Sequence, residues 1–305
     1  MMFATPPTIE ASEFTVLPPL FLPEAPRSEW LEGQPAGTPA LTLLEGPSFD
    51  RMGRMYCVDL PNVRIFRISQ AGEFKLVCRY DGWPNGLKIH RDGRIFVADF
   101  MHGILTVDPD QGTVTPFLER SGLEHFKALN DLFFAANGDL YFTDQGLTGL
   151  HDASGRLFRV TPSGKITCLL HNIPSPNGVV MDLEERCVYV AATRANQVWR
   201  VPLDRQGNAT KVGVFVQMSG GSGPDGLALD AEGGLAIAHV GLGSVWLVDA
   251  AGEPTLRIKA PGHRHTTNIA FGGEDGKTLF ITESGSASIL SARVPVAGKP
   301  MFSHH

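Results

Sequence analysis

Six short segments of this 305-residue chain set an amide or acid side chain just ahead of an apolar run. They are Glu45 in LEGPSFD, Asn85 in WPNGLKI, Asn130 in LNDLFFA, Asn177 in SPNGVVMD, Asp225 in GPDGLALD and Asn268 in TTNIAFGG. Two carboxylates and four carboxamides form a set of hard oxygen donors with no thiol or imidazole among them. Brought to one place, such a set suits an oxygen-seeking divalent cation: Ca²⁺, Mg²⁺ or Mn²⁺. Its two carboxylates would balance a +2 ion. A single Asn-Gly or Asp-Gly pair is ordinary turn chemistry, because Asx side chains bond their own backbone. Six in register, each preceding a strand, point to a metal or ligand site. Glu45 sharpens the point, since Glu stands where a turn-former belongs and makes poor Asx-turns.

The elements that must position these residues follow from their spacing. Consecutive positions lie 40, 45, 47, 48 and 43 residues apart, close to one four-stranded propeller blade per unit. Within each unit the polar residue opens a short apolar strand. A turn follows, such as Asp92-Gly93 or Asn137-Gly138, and then a second apolar strand. An Asx-Gly pair between apolar runs is a strong hairpin signal. RIFRISQAG, GILTVDPDQG, GRLFRVTPSG, QVWRVPLDRQG and SVWLVDAAG read as third strands; FKLVCRY, VTPFLE, ITCLLH and KVGVFVQ read as fourth strands. No segment sustains a helical period over eleven or more residues. The reading is an all-β six-bladed β-propeller of four-stranded antiparallel blades, which leaves only short, protected strand edges. The ring is closed by strands from both termini, with ASILSARVPV sharing a blade with N-terminal strands. Residues 1–38 read as an extended arm or lid, and residues 39–305 as a single propeller domain. In a propeller the first strand of each blade lines the axis, so the six polar residues form one ring.

Composition narrows the partners. Charged residues make up 19% of the chain, hydrophobic residues 43%, and the formal net charge is −6. No basic stripe appears, which argues against nucleic acid. No stretch reaches the eighteen or so apolar residues of a membrane span, and the proline-broken VLPPLFLPEAP lacks the basic flank of a signal peptide. Cys57, Cys78, Cys168 and Cys187 show no CxxC or CxxH spacing, so they read as free thiols in a cytoplasmic protein. A monomer or weak homo-oligomer is the expected state.

The stretches LEGPSFD, LNDLFFAANGDLYFTD, SPNGVVMD, GPDGLALDAEGGLAIA and TTNIAFGGEDGKTLFITE, in this order and spacing, resemble the SMP-30/gluconolactonase family of six-bladed propellers. The resemblance runs from about residue 40 to residue 290. It implies one catalytic divalent metal at the top of the channel, held by Glu45, Asn130, Asn177 and Asp225. Ca²⁺ is placed first, with Mg²⁺, Mn²⁺, Zn²⁺ or Fe²⁺ as alternatives. The implied activity is hydrolysis of a small lactone, chiefly a sugar lactone. The metal polarises the carbonyl and Asp225 acts as catalytic base; hydroxide generated on the metal is the competing source of nucleophile. Animal members carry a substrate-contacting basic residue two positions before the ligand Asn. Here that position is Ala128, preceded by Lys127.

Substrate-binding candidates are Asn85 and Asn268, which belong to the ring without being assigned as ligands, His265, which sits with His263 just before Asn268, and Asp144. Asp144 ends a second strand, as do Asp59 and Asp99, with His239 in the same place in another blade; that repetition also suits structural capping. Trp30, in SEWLEGQP, is a candidate lid residue. Three functions fit: a metal-dependent lactonase, a related esterase or phosphotriesterase-type hydrolase using the same metal, and a non-enzymatic binding propeller with a structural metal. Fold alone does not choose among them.

Overall fold

A computed structural model describes residues 5–26 and 28–305. Residues 1–4 and 27 of the proposed arm lie outside the described residues. The chain forms six small antiparallel sheets with no α-helix among the described residues. Their inner strands are Leu44–Phe49, Pro84–Ile89, Leu129–Phe134, Pro176–Met181, Gly223–Leu229 and Thr266–Gly272. Each inner strand packs against the inner strands of both neighbouring sheets, and the last packs against the first. The six-bladed ring read from the repeat is the observed architecture.

The apolar residues do not gather at the centre. They fill the wedges between successive blades, as alternation along twisted strands requires. Phe96, Leu132 and Phe142 join blades two and three; Val179, Val190 and Leu157 join blades three and four; Ile269, Ile281 and Ile258 join blades five and six. The axis is thereby left to polar side chains.

Ring closure uses both ends of the chain. Ser12–Val16 is the outer strand of blade six, paired antiparallel with Ser288–Arg293. Thr8–Glu10 adds a fifth, parallel strand to blade five. The boundary at 38/39 therefore does not separate an arm from the propeller, because the first part of the arm is sheet. The second part crosses the ring: Ser28 accepts from the Trp30 amide at 3.3 Å and starts a short 3₁₀ turn over Glu29–Gly33. Trp30 then packs with Leu43 and Leu60, against Trp83 and Phe100. At the far end of the inner strands the C-terminal segment Lys299–Phe302 covers the axis, with Phe302 stacked on Phe134 at 5.1 Å.

The ladder between inner and second strands slips within a residue or two of every ring position, at Glu45/Ser48, Pro84/Leu87, Leu129/Leu132, Pro176/Val179, Pro224/Leu227 and Thr266/Asn268. Bulges of this kind re-aim a side chain, and here all six turn one polar group toward the axis. Four ring residues are followed by Gly, at 46, 86, 178 and 226. A Cβ on Gly46 would stand 2.5 Å from the Leu87 amide, and one on Gly178 2.4 Å from the Asp225 carbonyl. The inner strands close the ring only because these positions carry no side chain. Gly226→Ala should consequently lower stability by about 1–3 kcal/mol, since its Cβ would fall 2.1 Å from Asn268 Oδ1 and 2.7 Å from Asn268 Cα. The check is the midpoint of a urea melt; an unshifted midpoint contradicts this account of the crowding.

Candidate functional site

Glu45, Asn85, Asn130, Asn177 and Asp225 line a single cavity of about 160 Å³ at one end of the axis. All five side chains are buried. Trp30, residues 34–39, Leu43, Leu60, Phe100, Gln145, Thr193, Arg194, Ser222, Val240, His265 and Thr267 complete its wall.

Two sets of bonds hold the ring residues in place. Threonine hydroxyls from one blade cap a backbone carbonyl of the next inner strand: Thr143 donates to Asn177 O, Thr193 to Pro224 O and Thr267 to Leu44 O, each at 2.7 Å. The acid that ends a second strand ties the chain just ahead of the ring residue. Asp59 accepts from the Leu43 amide and pairs with Arg64. Asp144 accepts from the Lys127 and Ala128 amides, both at 2.8 Å, and pairs with Arg156. Glu283 accepts from the His265 amide at 2.7 Å. In blade two Asp99 binds Tyr80 Oη and the Met101 and His102 amides. His239 fills the same place in blade five, against Gly220 O and Trp246 Nε1.

These contacts correct two expectations. Asp144 is not on the cavity wall: its carboxylate is fully buried and engaged on both oxygens. Asn268 does not face the cavity either. Its Nδ2 donates to Glu45 Oε2 at 2.8 Å and its Oδ1 accepts from the Ile269 amide, so it positions Glu45. His265 and Asn85 do line the cavity, whereas His263 is exposed and does not. Lys127 points its ammonium at Ser154 and also stays out of the wall.

The electrostatics are dominated by negative charge without matching positive charge. Burial pushes Glu45 up to about 7, against the pull of its bonds to Asn268 and the Gly46 amide. Burial raises Asp225 well above the usual carboxylate range, and the charges of Glu45 and Asp131 raise it further; Arg194 and Asn177 pull it back. Asp131, next to Asn130, is a third buried acid, raised by burial. Lys88 Nζ, 3.5 Å from Asp131 Oδ1, is the cation facing it from the neighbouring inner strand. Three acids against the Lys88 ammonium and the more distant Arg194 guanidinium leave negative charge in excess when all ionise, a costly arrangement in a buried place, and their proton affinities rise accordingly. Asp225 Oδ1 and Asp131 Oδ2 are buried with no hydrogen-bond partner.

The residues therefore fit a divalent cation. Asp225 offers an orphaned oxygen, and Asn130 donates through Nδ2 to Gln145 Oε1, which leaves its carboxamide oxygen free. Among the described residues no three His, Cys, Asp or Glu side chains converge on a metal-sized point, so such an ion would draw part of its oxygen shell from the carboxamides. Asp131, Lys88, Gln145 and Arg194 were missed in the sequence. Asp131 and Lys88 had a signal, as charged residues inside inner-strand runs where neither face is solvated.

Residues 43–285 match the model of the SMP-30/Gluconolactonase/LRE-like region. The protein named Lactonase drp35 from Staphylococcus saprophyticus is 30% identical over 253 residues, which is 79% of this chain and 76% of that protein. Its counterpart from Staphylococcus aureus MW2 is 29% identical over 293 residues, 90% and 84% of the two chains. Among solved structures, a calcium-binding protein, regucalcin, from Agrobacterium tumefaciens is 27% identical, with a TM-score of 0.73 over 85% of this chain and 92% of its own. A gluconolactonase from Xanthomonas campestris shares the fold at 20% identity, with a TM-score of 0.73 over 95% and 99%.

The raised carboxyls set a pH dependence. Glu45 has a higher proton affinity folded than unfolded, so the folded state holds more protons between its ordinary value of 4.5 and about 7. Stability then falls as pH rises through that window. Chelator-treated protein should melt at a lower temperature at pH 7.5 than at pH 5, and added Ca²⁺ should raise the melting temperature most at the higher pH, where the acids are ionised. A melting temperature of the chelated protein that rises with pH would contradict the uncompensated charge.

Proposed function

Because this chain belongs to the SMP-30/gluconolactonase/LRE-like family, we propose that it is a lactonase that opens a small lactone ring in the cavity built by Glu45, Asn130, Asn177 and Asp225. The observation that carries this reading is the buried acid pair Glu45 and Asp225, with an orphaned Asp225 oxygen, at a ring of oxygen donors, in a chain whose relatives are named lactonases. One divalent cation is assigned to those four residues, with Ca²⁺ ahead of Mg²⁺, Mn²⁺, Zn²⁺ or Fe²⁺ on the evidence of oxygen-only donors. When bound, it supplies Lewis-acid polarisation of the lactone carbonyl and stabilises the oxyanion.

The remaining chemistry belongs to the chain. Asp225 takes a proton from the attacking water as the water oxygen bonds to the carbonyl carbon. The ring C–O bond then breaks, and the leaving alkoxide regains that proton from Asp225, giving a hydroxy acid. Burial and the neighbouring charges of Glu45 and Asp131 raise the proton affinity of Asp225 in the metal-free protein, and a bound cation would lower it again. Glu45 is held by Asn268 and the Gly46 amide and acts as a fixed ligand. Asn85 and His265, on the cavity wall, are assigned to substrate contact. Residues 30–39 serve as a lid that limits water. A second reading, hydrolysis of an aryl ester or phosphotriester by the same residues, draws on the apolar wall of Trp30, Leu43, Leu60 and Phe100.

A pH-drop assay over a panel of lactones and one aryl ester, before and after chelation, tests the reading. Asp225→Asn should lower kcat by about 10²-fold or more. Near-native turnover in that variant would remove Asp225 as base, and turnover indifferent to chelation would remove the cation. Glu45→Gln should weaken Ca²⁺ binding, followed by calorimetry, while shifting the chelated protein's urea midpoint little. A variant whose urea midpoint falls sharply while the folded protein keeps native Ca²⁺ affinity would reverse the roles given to Glu45.

A further inference from the structure

Arg194 is the one arginine or lysine among the described residues that line the cavity. It sits in the short 3₁₀ turn Thr193–Ala195, between the second and third strands of blade four. Its stem packs against blade three, with Cγ 3.6 Å from the position a Cβ would take on Gly149. Arg194 is exposed, and among the described residues its guanidinium makes no hydrogen bond and has no carboxylate within ion-pair distance. Its charge reaches Asp225 through space without contact. Beside it on the wall stands Ser222.

A guanidinium is a planar fork of donors that matches a carboxylate in two-pronged fashion. A free one, held by its stem at a cavity, is an unfilled recognition element. Among the described residues none of the three buried acids pairs with it, and the cation assigned to the ring would offset their charge. We propose that Arg194 recognises a carboxylate bound in this cavity. The proposal rests on the lactonase reading for the source of that carboxylate, which is either an acidic substituent on the lactone or the carboxylate formed when the ring opens.

The test compares wild type with Arg194→Met, which keeps the stem, and Arg194→Lys, which keeps the charge but loses the fork. Initial rates are measured on γ-butyrolactone and on 5-oxotetrahydrofuran-2-carboxylate, and 4-hydroxybutyrate is titrated into Ca²⁺-loaded protein by calorimetry. If the carboxylate is a substituent, the preference in kcat/KM for the acidic lactone falls roughly ten-fold or more in Arg194→Met, with Arg194→Lys between. If it is the product's, affinity for 4-hydroxybutyrate falls by a similar factor. Unchanged preference together with unchanged 4-hydroxybutyrate affinity overturns the proposal. Should wild type open neither lactone, nor any other of the panel, the lactonase reading fails by itself; the titration still decides Arg194, since equal affinity in wild type and Arg194→Met overturns its role.

Discussion

The close approach of six inner strands around one axis governs this molecule. A propeller axis has no room for an apolar core, because the strands that line it converge too tightly for large side chains. Gly46, Gly86, Gly178 and Gly226 permit that convergence. The bulge beside each ring position then directs the neighbouring side chain inward. Crowding and function come from the same few residues: the glycine that lets the backbones meet lies next to the acid or amide that faces the cavity. The hydrophobic contribution to stability is displaced outward into the wedges between blades, which frees the centre for polar groups that a packed core would reject.

The centre is correspondingly costly on its own. Burial of Glu45, Asp225 and Asp131, with Lys88 as their one paired cation, makes ionisation of all three costly, a cost that a divalent cation would relieve. The surrounding bonds keep the acids from relaxing. Thr143, Thr193 and Thr267 fasten neighbouring inner strands, and Asp59, Asp144 and Glu283 fasten the chain that leads to them. A preorganised site of this kind exchanges stability of the empty protein for affinity and orientation in the loaded one.

Much of this was legible in the sequence, for a physical reason. Each bulge carries an acid or amide, followed by Gly in four of the six blades, so the ring residues recur at blade spacing, and the repeat exposes both fold and site together. What stayed hidden lacks that periodicity. Lys88 and Asp131 occur in one blade each and read as ordinary alternation until the inner strands prove to have no solvated face. Arg194 is a lone residue in a turn, with nothing in TRANQ to aim it at a cavity. Asp144 failed in the opposite sense: an acid ends the second strand in blades one, two, three and six, where it ties nearby chain. Recurrence thus marks ring residues and latches alike, and only the partner, Arg156 in this case, tells them apart.

The N-terminal segment joins two jobs that most folds keep separate. Ser12–Val16 completes blade six beside a strand nearly three hundred residues away along the chain, and some twenty residues later the same segment walls the cavity. Contacts so distant in sequence form slowly. On a ribosome the strands of blade six emerge after those of the other five blades, so the N-terminal strand must wait for them before it can pair. Assembly of the outer wall is anchored to that final step. The chain gains its finished cavity as it closes its ring, and a partly made protein, lacking blade six, carries the ring residues of five blades without the shape that would let them select a substrate.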